Sequence, residues 1–312
     1  MKYLITGGAG FIGSNLTRYI LGKGHDVVVL DNFSTGKWQN LTEILDRITL
    51  ITGDVRDRET VDKAIEGVNA VFHEAAIGSV PRSVKEPGFA HNNNVNGTVN
   101  VLEAARNAGI KRVVFAASSS AYGDQPTSPK VETMNPMPIS PYAANKIACE
   151  MYMQAYHAAY GMETVCLRYF NVFGPRQDPF GAYAAVIPAF VSNILQNKKP
   201  QVFGDGEQTR DFCYIENVCS ANWLAAHAEA KNCTGKAMNI ACNSAVSLNQ
   251  ILNKLNSLMK TNIVAEYLPE RVGDIKHSLA DVSLAKQMIG YEPLVYFDEG
   301  LERAISWYTE NL

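Results

Sequence analysis

Short runs of apolar, β-favouring residues recur along the chain at 3–6, 27–30, 48–52, 70–73, 113–117 and 164–167. Between them the apolar positions take a helical period, as at 11–21, 61–65 and 99–108. This alternation predicts a parallel sheet with crossover helices. The strands are apolar at consecutive positions rather than at every second one, which suits a sheet covered by helices on both faces. The expected fold is therefore α/β, a doubly wound open sheet occupying about residues 1–171. Beyond Asn171 the pattern is broken by Gly174-Pro175, Asp178-Pro179-Phe180-Gly181 and Gly204-Asp205-Gly206. Helices near 188–195 and 248–259, joined by longer irregular segments, predict a smaller substrate-binding α/β lobe covering mainly 172–312. Segments 211–228 and 237–241 again read as helix and strand, and are candidates for a return to the first domain.

Composition narrows the field of partners. The chain has 312 residues, 46% hydrophobic and 19% charged, with a formal net charge of -3 and a pI near 6.1. That is enough apolar material for a sizeable core, and the slight acidity argues against nucleic acid or an anionic membrane as partner. The six cysteines form no CxxC pair and read as reduced, mostly buried thiols. The opening MKYLITGGAGF lacks the longer apolar stretch of a signal peptide, and no run of about 18 apolar residues occurs, so a soluble cytoplasmic protein is expected.

The first strand runs straight into Gly7, Gly8, Gly10 and Gly13, and a helix follows from Phe11. Both GxxGxxG and GxGxxG can be read there. Glycines let the backbone turn tightly and approach a pyrophosphate, which then sits on the helix N-terminus; the alternative is a glycine-rich turn with no ligand. Context gives this Rossmann-type turn its force. Asp31 ends the second strand, 18 residues after Gly13, where an acid accepts hydrogen bonds from adenosine ribose hydroxyls and repels the extra phosphate of NADP. Lys37 nearby softens that exclusion without reversing it, and on the strength of Asp31 NAD is the expected cofactor. Asp54 stands either where an adenine amino group is met or as a cap for a helix at 57–66.

Tyr142 and Lys146 form YxxxK in a helix that Ser140 caps, Pro141 starts and Gly161 stops. Spacing of i, i+4 places both side chains on one face. A tyrosine hydroxyl is a poor base at neutral pH, but an ammonium beside it and the cationic ring of an oxidised nicotinamide favour the phenolate. Tyr/Lys pairs at this spacing are also common on solvated helix faces, and the dinucleotide turn upstream is what gives this one chemical meaning. Ser118, Ser119 and Ser120 follow the fifth strand at its carboxyl end, where open α/β sheets place ligands. One hydroxyl is expected to reach substrate; the others serve equally well as a polar strand cap. The six histidines are scattered, His73-Glu74 lacks the second histidine of HExxH, and no GxSxG elbow occurs, so no metal or hydrolase chemistry is expected. His73 reads as a strand-end core residue.

Ser118, Tyr142 and Lys146, together with Gly7 to Gly13, resemble the extended short-chain dehydrogenase/reductase family. The likeness runs the length of the chain. His73-Glu74-Ala75-Ala76, Asn92-Asn93-Asn94-Val95-Asn96-Gly97-Thr98, Leu167-Arg168-Tyr169-Phe170-Asn171, Thr209-Arg210-Asp211-Phe212 and Arg271-Val272-Gly273-Asp274 look like the nucleotide-sugar 4-epimerases. Gly78-Ser79-Val80-Pro81-Arg82-Ser83 most resembles the branch acting on UDP-N-acetylglucosamine.

The resemblance implies an NAD-dependent 4-epimerase (an isomerase) of a UDP-hexose, with Tyr142 as base, Lys146 as its electrostatic partner and Ser118 holding the sugar 4-oxygen. It implies NAD contacts at Gly7, Gly10, Phe11, Ile12, Gly13, Asp31, Asn32, Asp54, Val55, Ala75, Asn94, Tyr142, Lys146 and Tyr169. For the UDP-sugar it implies Ser79, Ser118, Ser119, Tyr142, Asn171, Val202, Phe203, Arg210, Arg271, Asp274 and Ser278. Arginines meet a pyrophosphate bidentately, although any one of them also reads as a surface ion pair. Strict UDP-glucose/galactose members place a tyrosine where Ser278 stands, and a serine leaves room for an N-acetyl group; it also reads as the cap of a helix starting near Leu279. Galactose-type members carry a lysine where this chain has Gly78. Related 4,6-dehydratases carry Asp-Glu in place of Ser119-Ser120, and hydroxyls do not supply the acid and base that elimination of water needs. The reading is of an enzyme acting on N-acetylated sugars (UDP-N-acetylglucosamine/UDP-N-acetylgalactosamine), with an epimerase of UDP-glucose or UDP-glucuronate as the rival enzyme and a non-catalytic NAD-sensing regulator as the rival of another class, the last disfavoured by the intact triad. A homodimer is expected through helices 99–108 and 141–160, whose Met151, Met153, Tyr156 and Tyr160 read equally well as core.

Overall fold

The computed structural model of the chain describes residues 1–179, 185–270 and 276–311. The apolar runs form β1 (Lys2–Thr6), β2 (Asp26–Asp31), β3 (Ile48–Thr52), β4 (Ala70–His73), β5 (Arg112–Ser118) and β6 (Glu163–Tyr169). Strand Lys236–Ile240 adds to the outside of β6, completing a sheet of seven in the order Lys236–Ile240, β6, β5, β4, β1, β2, β3. Every neighbouring pair is parallel. Alternate residues bury on opposite faces. Leu4, Val28, Val71 and Val113 pack with Val101 and Leu102 of helix Gly97–Asn107, while Ile5, Val29, Phe72 and Val114 pack with Leu16, Ile20 and Val218 of helices Phe11–Gly22 and Ile215–His227. This two-sided burial is what consecutive apolar positions in each strand require.

The chain winds outward from β1 to β3, then crosses back to β4 on the other side of β1. The strand order reverses there, and the crevice beyond the carboxyl ends of β1 and β4 is where such a sheet receives a ligand. Helix Pro141–Tyr160 has the expected ends: Ser140 Oγ accepts from Ala143 N at 3.2 Å, and Gly161 closes it in the left-handed conformation.

Three local expectations are corrected. The segment expected as helix from 211 starts instead with strands Thr209–Asp211 and Cys213–Tyr214, the helix beginning only at Ile215. The buried Asp211 carboxylate fixes this, accepting from Cys242 N at 2.9 Å and Ala280 N at 3.2 Å. Helix Arg58–Ala64 is capped by Asp57, which accepts from Glu59 N, and not by Asp54. Ser278 caps no helix. It lies in strand His277–Ser278, in parallel register with Thr209 and Arg210, and the next helix is Ser283–Ile289. All six cysteines are buried free thiols. Of the apolar residues on helix Pro141–Tyr160, Met153 and Tyr156 belong to the core, while Met151, Tyr152 and Tyr160 are exposed.

Candidate active site

The glycine turn is built by close packing. Gly7 has φ +71°, and a Cβ there would stand 2.7 Å from the Ala75 backbone; one on Gly8 would stand 2.6 Å from Val29, and one on Gly13 2.8 Å from Gly8 Cα. No side chain caps helix Phe11–Gly22, so its first N–H groups remain available beside the cleft that Gly7 and Gly10 line. Asp31 lines the same cleft. Its oxygens accept from Ala9 N and Phe33 N, both at 2.8 Å, and each retains a lone pair for a ribose hydroxyl. Burial raises its pKa against those two hydrogen bonds. A close-approach turn, an uncapped helix start and an anchored acid together fit NAD.

A second cavity of about 820 Å³ opens on the other side of the strand ends. Helix Val80–Lys85 supplies Val80, Pro81 and Val84, the end of β5 supplies Ser118 to Ser120, and helix Pro141–Tyr160 presents Tyr142. Ser83 Oγ accepts from Tyr142 N at 3.0 Å, docking the two helices where the tyrosine emerges. Lys146 is buried; its Nζ donates to Ala116 O at 2.6 Å and lies 5.9 Å from the Tyr142 ring centroid. A half-buried phenol with a fixed ammonium one turn away can exchange a proton with a ligand hydroxyl. Ser118 Oγ accepts from Ser120 N at 3.2 Å, and Ser120 Oγ is buried in the cavity wall without a partner. His73 is buried between Thr6 and Thr98, and burial, reinforced by the Lys146 charge, pushes it down to about 3.

The NAD dependent epimerase/dehydratase family model matches residues 3–241. The chain is 36% identical over 315 residues to the UDP-glucose 4-epimerase of Mycolicibacterium smegmatis, covering 100% of this chain and 99% of that one. Among solved structures, the UDP-N-acetylglucosamine 4-epimerase from Methanobrevibacter ruminantium, in complex with UDP-N-acetylmuramic acid, is similar with a TM-score of 0.94 and 39% identity, over 100% of this chain and 99% of that one. The Thermus thermophilus UDP-glucose 4-epimerase, in complex with NAD, gives a TM-score of 0.90 at 33% identity over 100% of both chains. The chain belongs to the NAD dependent epimerase/dehydratase family. It is an NAD-dependent UDP-sugar 4-epimerase.

The epimerase brings most of the residues singled out in its sequence to one of the two cavities. Asn32, Val55 and Ala75 line the cleft with Gly7, Gly10 and Asp31, while Phe11 and Ile12 form the first helical turn and pack partly on the core. Asn93 rather than Asn94 lines the cleft; the Asn94 side chain accepts from Ile77 N at 2.7 Å and donates to Ile77 O at 3.2 Å, holding the loop after β4. Asp54 stands behind Asn32, bonded to its amide at 2.7 Å and held down at about 2 by the Arg56 guanidinium. Lys37 pairs with Asp178 at 3.0 Å.

In the sugar-side cavity the epimerase assembles Ser118, Ser119, Tyr142, Tyr169, Asn171, Arg210 and Ser278. Ser79 caps helix Val80–Lys85, accepting from Arg82 N at 3.2 Å. Val202 is buried in the core and Phe203 ends strand Gln201–Phe203; neither is among the described residues that line the cavity. Arg271 and Asp274 lie outside the described residues. Lys130 and Glu74 are two of the wall residues that the sequence did not single out as site residues. Lys130 reaches the cavity because its backbone pairs with Leu279 and Asp281, beside Ser278, a long-range contact with no local signal. Glu74 was visible only as part of a motif, without a role. Among the described residues no group of three or more His, Cys, Asp or Glu is placed to hold a metal, and no helix is long and apolar enough to cross a membrane.

Proposed function

We propose that the epimerase interconverts UDP-N-acetylglucosamine and UDP-N-acetylgalactosamine, with UDP-glucose and UDP-galactose as further substrates. The observation that carries this reading is the wall formed by Ser278 in register with Arg210: a small side chain there leaves the roughly 820 Å³ cavity open where an N-acetyl group needs volume. The 39% identity to an enzyme named for UDP-N-acetylglucosamine supports the same choice over a glucuronate substrate.

In this reading Tyr142 takes the proton of the 4-hydroxyl, and Ser118 holds the 4-oxygen. NAD, when bound in the glycine-lined cleft, supplies the acceptor and donor of the hydride at carbon 4. Lys146, fixed by Ala116 O, keeps its ammonium one helical turn from Tyr142 and holds the nicotinamide ribose. Arg210, with Arg271 beyond the described residues, anchors the pyrophosphate, so the 4-ketosugar can turn without escaping. The enzyme acts in the cytoplasm as a homodimer, and the exposed Met151, Tyr152 and Tyr160 on helix Pro141–Tyr160 support the pairing face. The deciding experiment is incubation with separate UDP-sugars followed by chromatographic separation of epimers. Turnover of UDP-glucuronate alone overturns the assignment.

A further inference from the structure

A carboxyl group lies buried where the two cavities adjoin. Glu74 follows β4 at its carboxyl end and lines the nucleotide cleft. Its Oε1 accepts from the Tyr169 hydroxyl at 2.9 Å, and Tyr169 lines the sugar-side cavity. Asn222 Nδ2 donates to the same tyrosine oxygen at 2.7 Å, which leaves the Tyr169 hydrogen directed at Glu74. Glu74 Oε2 is buried and has no partner. Burying an acceptor without a donor is costly, and a purely structural residue at this place would be better served by an apolar side chain.

Hydride exchange between a sugar carbon and a dinucleotide needs the nicotinamide ring at the junction of cleft and cavity, since nucleotide and sugar fill one each. We propose that Glu74 is the counter-charge of the oxidised nicotinamide: its carboxylate, oriented by Tyr169, favours the cationic ring over the neutral reduced ring and sets how readily bound NAD is reduced. The inference rests on the 4-epimerase reading for the placing of that ring.

The charge balance makes this measurable. The ring is cationic when oxidised and neutral once the hydride from sugar carbon 4 has been added, while the pyrophosphate charge is the same in both forms. The relative affinity for the two forms therefore reports the charge facing the ring. Burial pushes Glu74 up to about 7, opposed by the Tyr169 hydrogen bond and the Lys146 ammonium, so its carboxyl changes charge close to neutrality. The groups packed around it from other elements are His73, kept neutral by burial, and the Tyr169 hydroxyl and Cys219 thiol, both kept protonated by burial. By reciprocity, a cation that lowers the Glu74 pKa by one unit is itself held about tenfold more tightly by the carboxylate.

The test equilibrates the full chain with mixtures of NAD and NADH at pH 6.5 and 8.5, without sugar, and reads the bound ratio from the NADH absorbance after gel filtration. The wild type is expected to shift toward NAD by up to about tenfold on raising the pH. Glu74→Gln should lose that shift and bind relatively more NADH at pH 8.5. Tyr169→Phe, which removes the donor that favours the carboxylate, should move the shift to higher pH without abolishing it. A wild-type ratio independent of pH, or a Glu74→Gln protein with an unchanged ratio, overturns the proposal; if Glu74→Gln does not fold, the wild type and Tyr169→Phe decide. Because no sugar is present, a failure here is distinct from a failure to epimerise UDP-sugars.

Discussion

Replacing Ser278 with tyrosine tests the assignment of the sugar pocket at a single position. Ser278 is paired in parallel register with Arg210, and the neighbouring Asp211 ties this strand to Ala280 and Cys242, so the wall is held on both sides. A tyrosine ring entering the cavity therefore cannot be accommodated by retreat of the strand, and the cost falls on whatever shares its volume. Overpacking costs about 1–3 kcal/mol in well-packed surroundings, and more where nothing relaxes. At about 1.4 kcal/mol per decade, this predicts a loss of roughly 5- to 150-fold or more in kcat/KM for UDP-N-acetylglucosamine. UDP-glucose, lacking the 2-acetamido group, should keep turnover within about threefold, since the extra ring is not in its space. Steady-state assays on both sugars measure the ratio, with Ser278→Ala as the control expected to change neither. Parallel losses on both sugars, or undiminished N-acetyl turnover, would refute the pocket assignment while leaving 4-epimerisation intact.

Tyr142→Phe keeps the ring and its packing but removes the proton acceptor, so kcat should fall about 10²- to 10⁴-fold while UDP-sugar binding, followed by calorimetry, persists. Lys146→Met should lower turnover by a comparable factor, because it removes the ammonium near Tyr142 and leaves Ala116 O without its donor. The wild type should bind NAD in preference to NADP in a direct competition, and Asp31→Asn should narrow that preference by weakening the repulsion of a 2′-phosphate. Arg168→Met should destabilise the protein by about 3–5 kcal/mol in chemical denaturation, because it strands the buried Glu150 carboxylate; the double variant Arg168→Met with Glu150→Leu should recover most of that loss.

The central sheet was legible because its strands and helices bury residues in patterns that repeat every two or every three to four positions, and those patterns are local. The glycine turn, Asp31 and the Tyr142–Lys146 pair were legible for the same reason, each lying within a few residues of its element's end. What was not legible depends on distant partners. Asp211 looks helical in its neighbourhood, yet two backbone N–H groups from 242 and 280 hold it extended. Ser278 reads as a helix cap until its strand is paired with Thr209 and Arg210. Asn94 and Asn93 are equivalent by composition, and only the loop at Ile77 decides which of them faces the cleft. Met153 and Tyr156 share a helix with exposed apolar residues, and only the packing of that helix on β5 and β6 separates core from surface.

The same dependence on distant partners explains why so much polar material is buried beneath the sugar-side cavity. Ser118 ends β5 in register with Tyr169, but the loop that follows, opening with a 3-10 turn at Ser119–Tyr122, has no strand neighbour of its own. Tyr122 OH donates to Asn239 Oδ1 at 2.6 Å, Asn239 N donates to Glu132 at 2.7 Å, and the Arg168 guanidinium lies 4.9 Å from the Tyr122 ring while forming paired hydrogen bonds with Glu150. These contacts tie the loop to the edge strand Lys236–Ile240 and to β6. An apolar core of the same volume would stabilise the fold at least as well, but its contacts are non-directional and would leave the loop free to slide. Directional hydrogen bonds fix where Ser118 and Ser120 stand, and a displacement of about 1 Å in reacting groups is enough to cost on the order of 10²-fold in rate. The buried network is therefore best understood as positioning the serine row, with its stability cost offset by the two large apolar faces of the sheet.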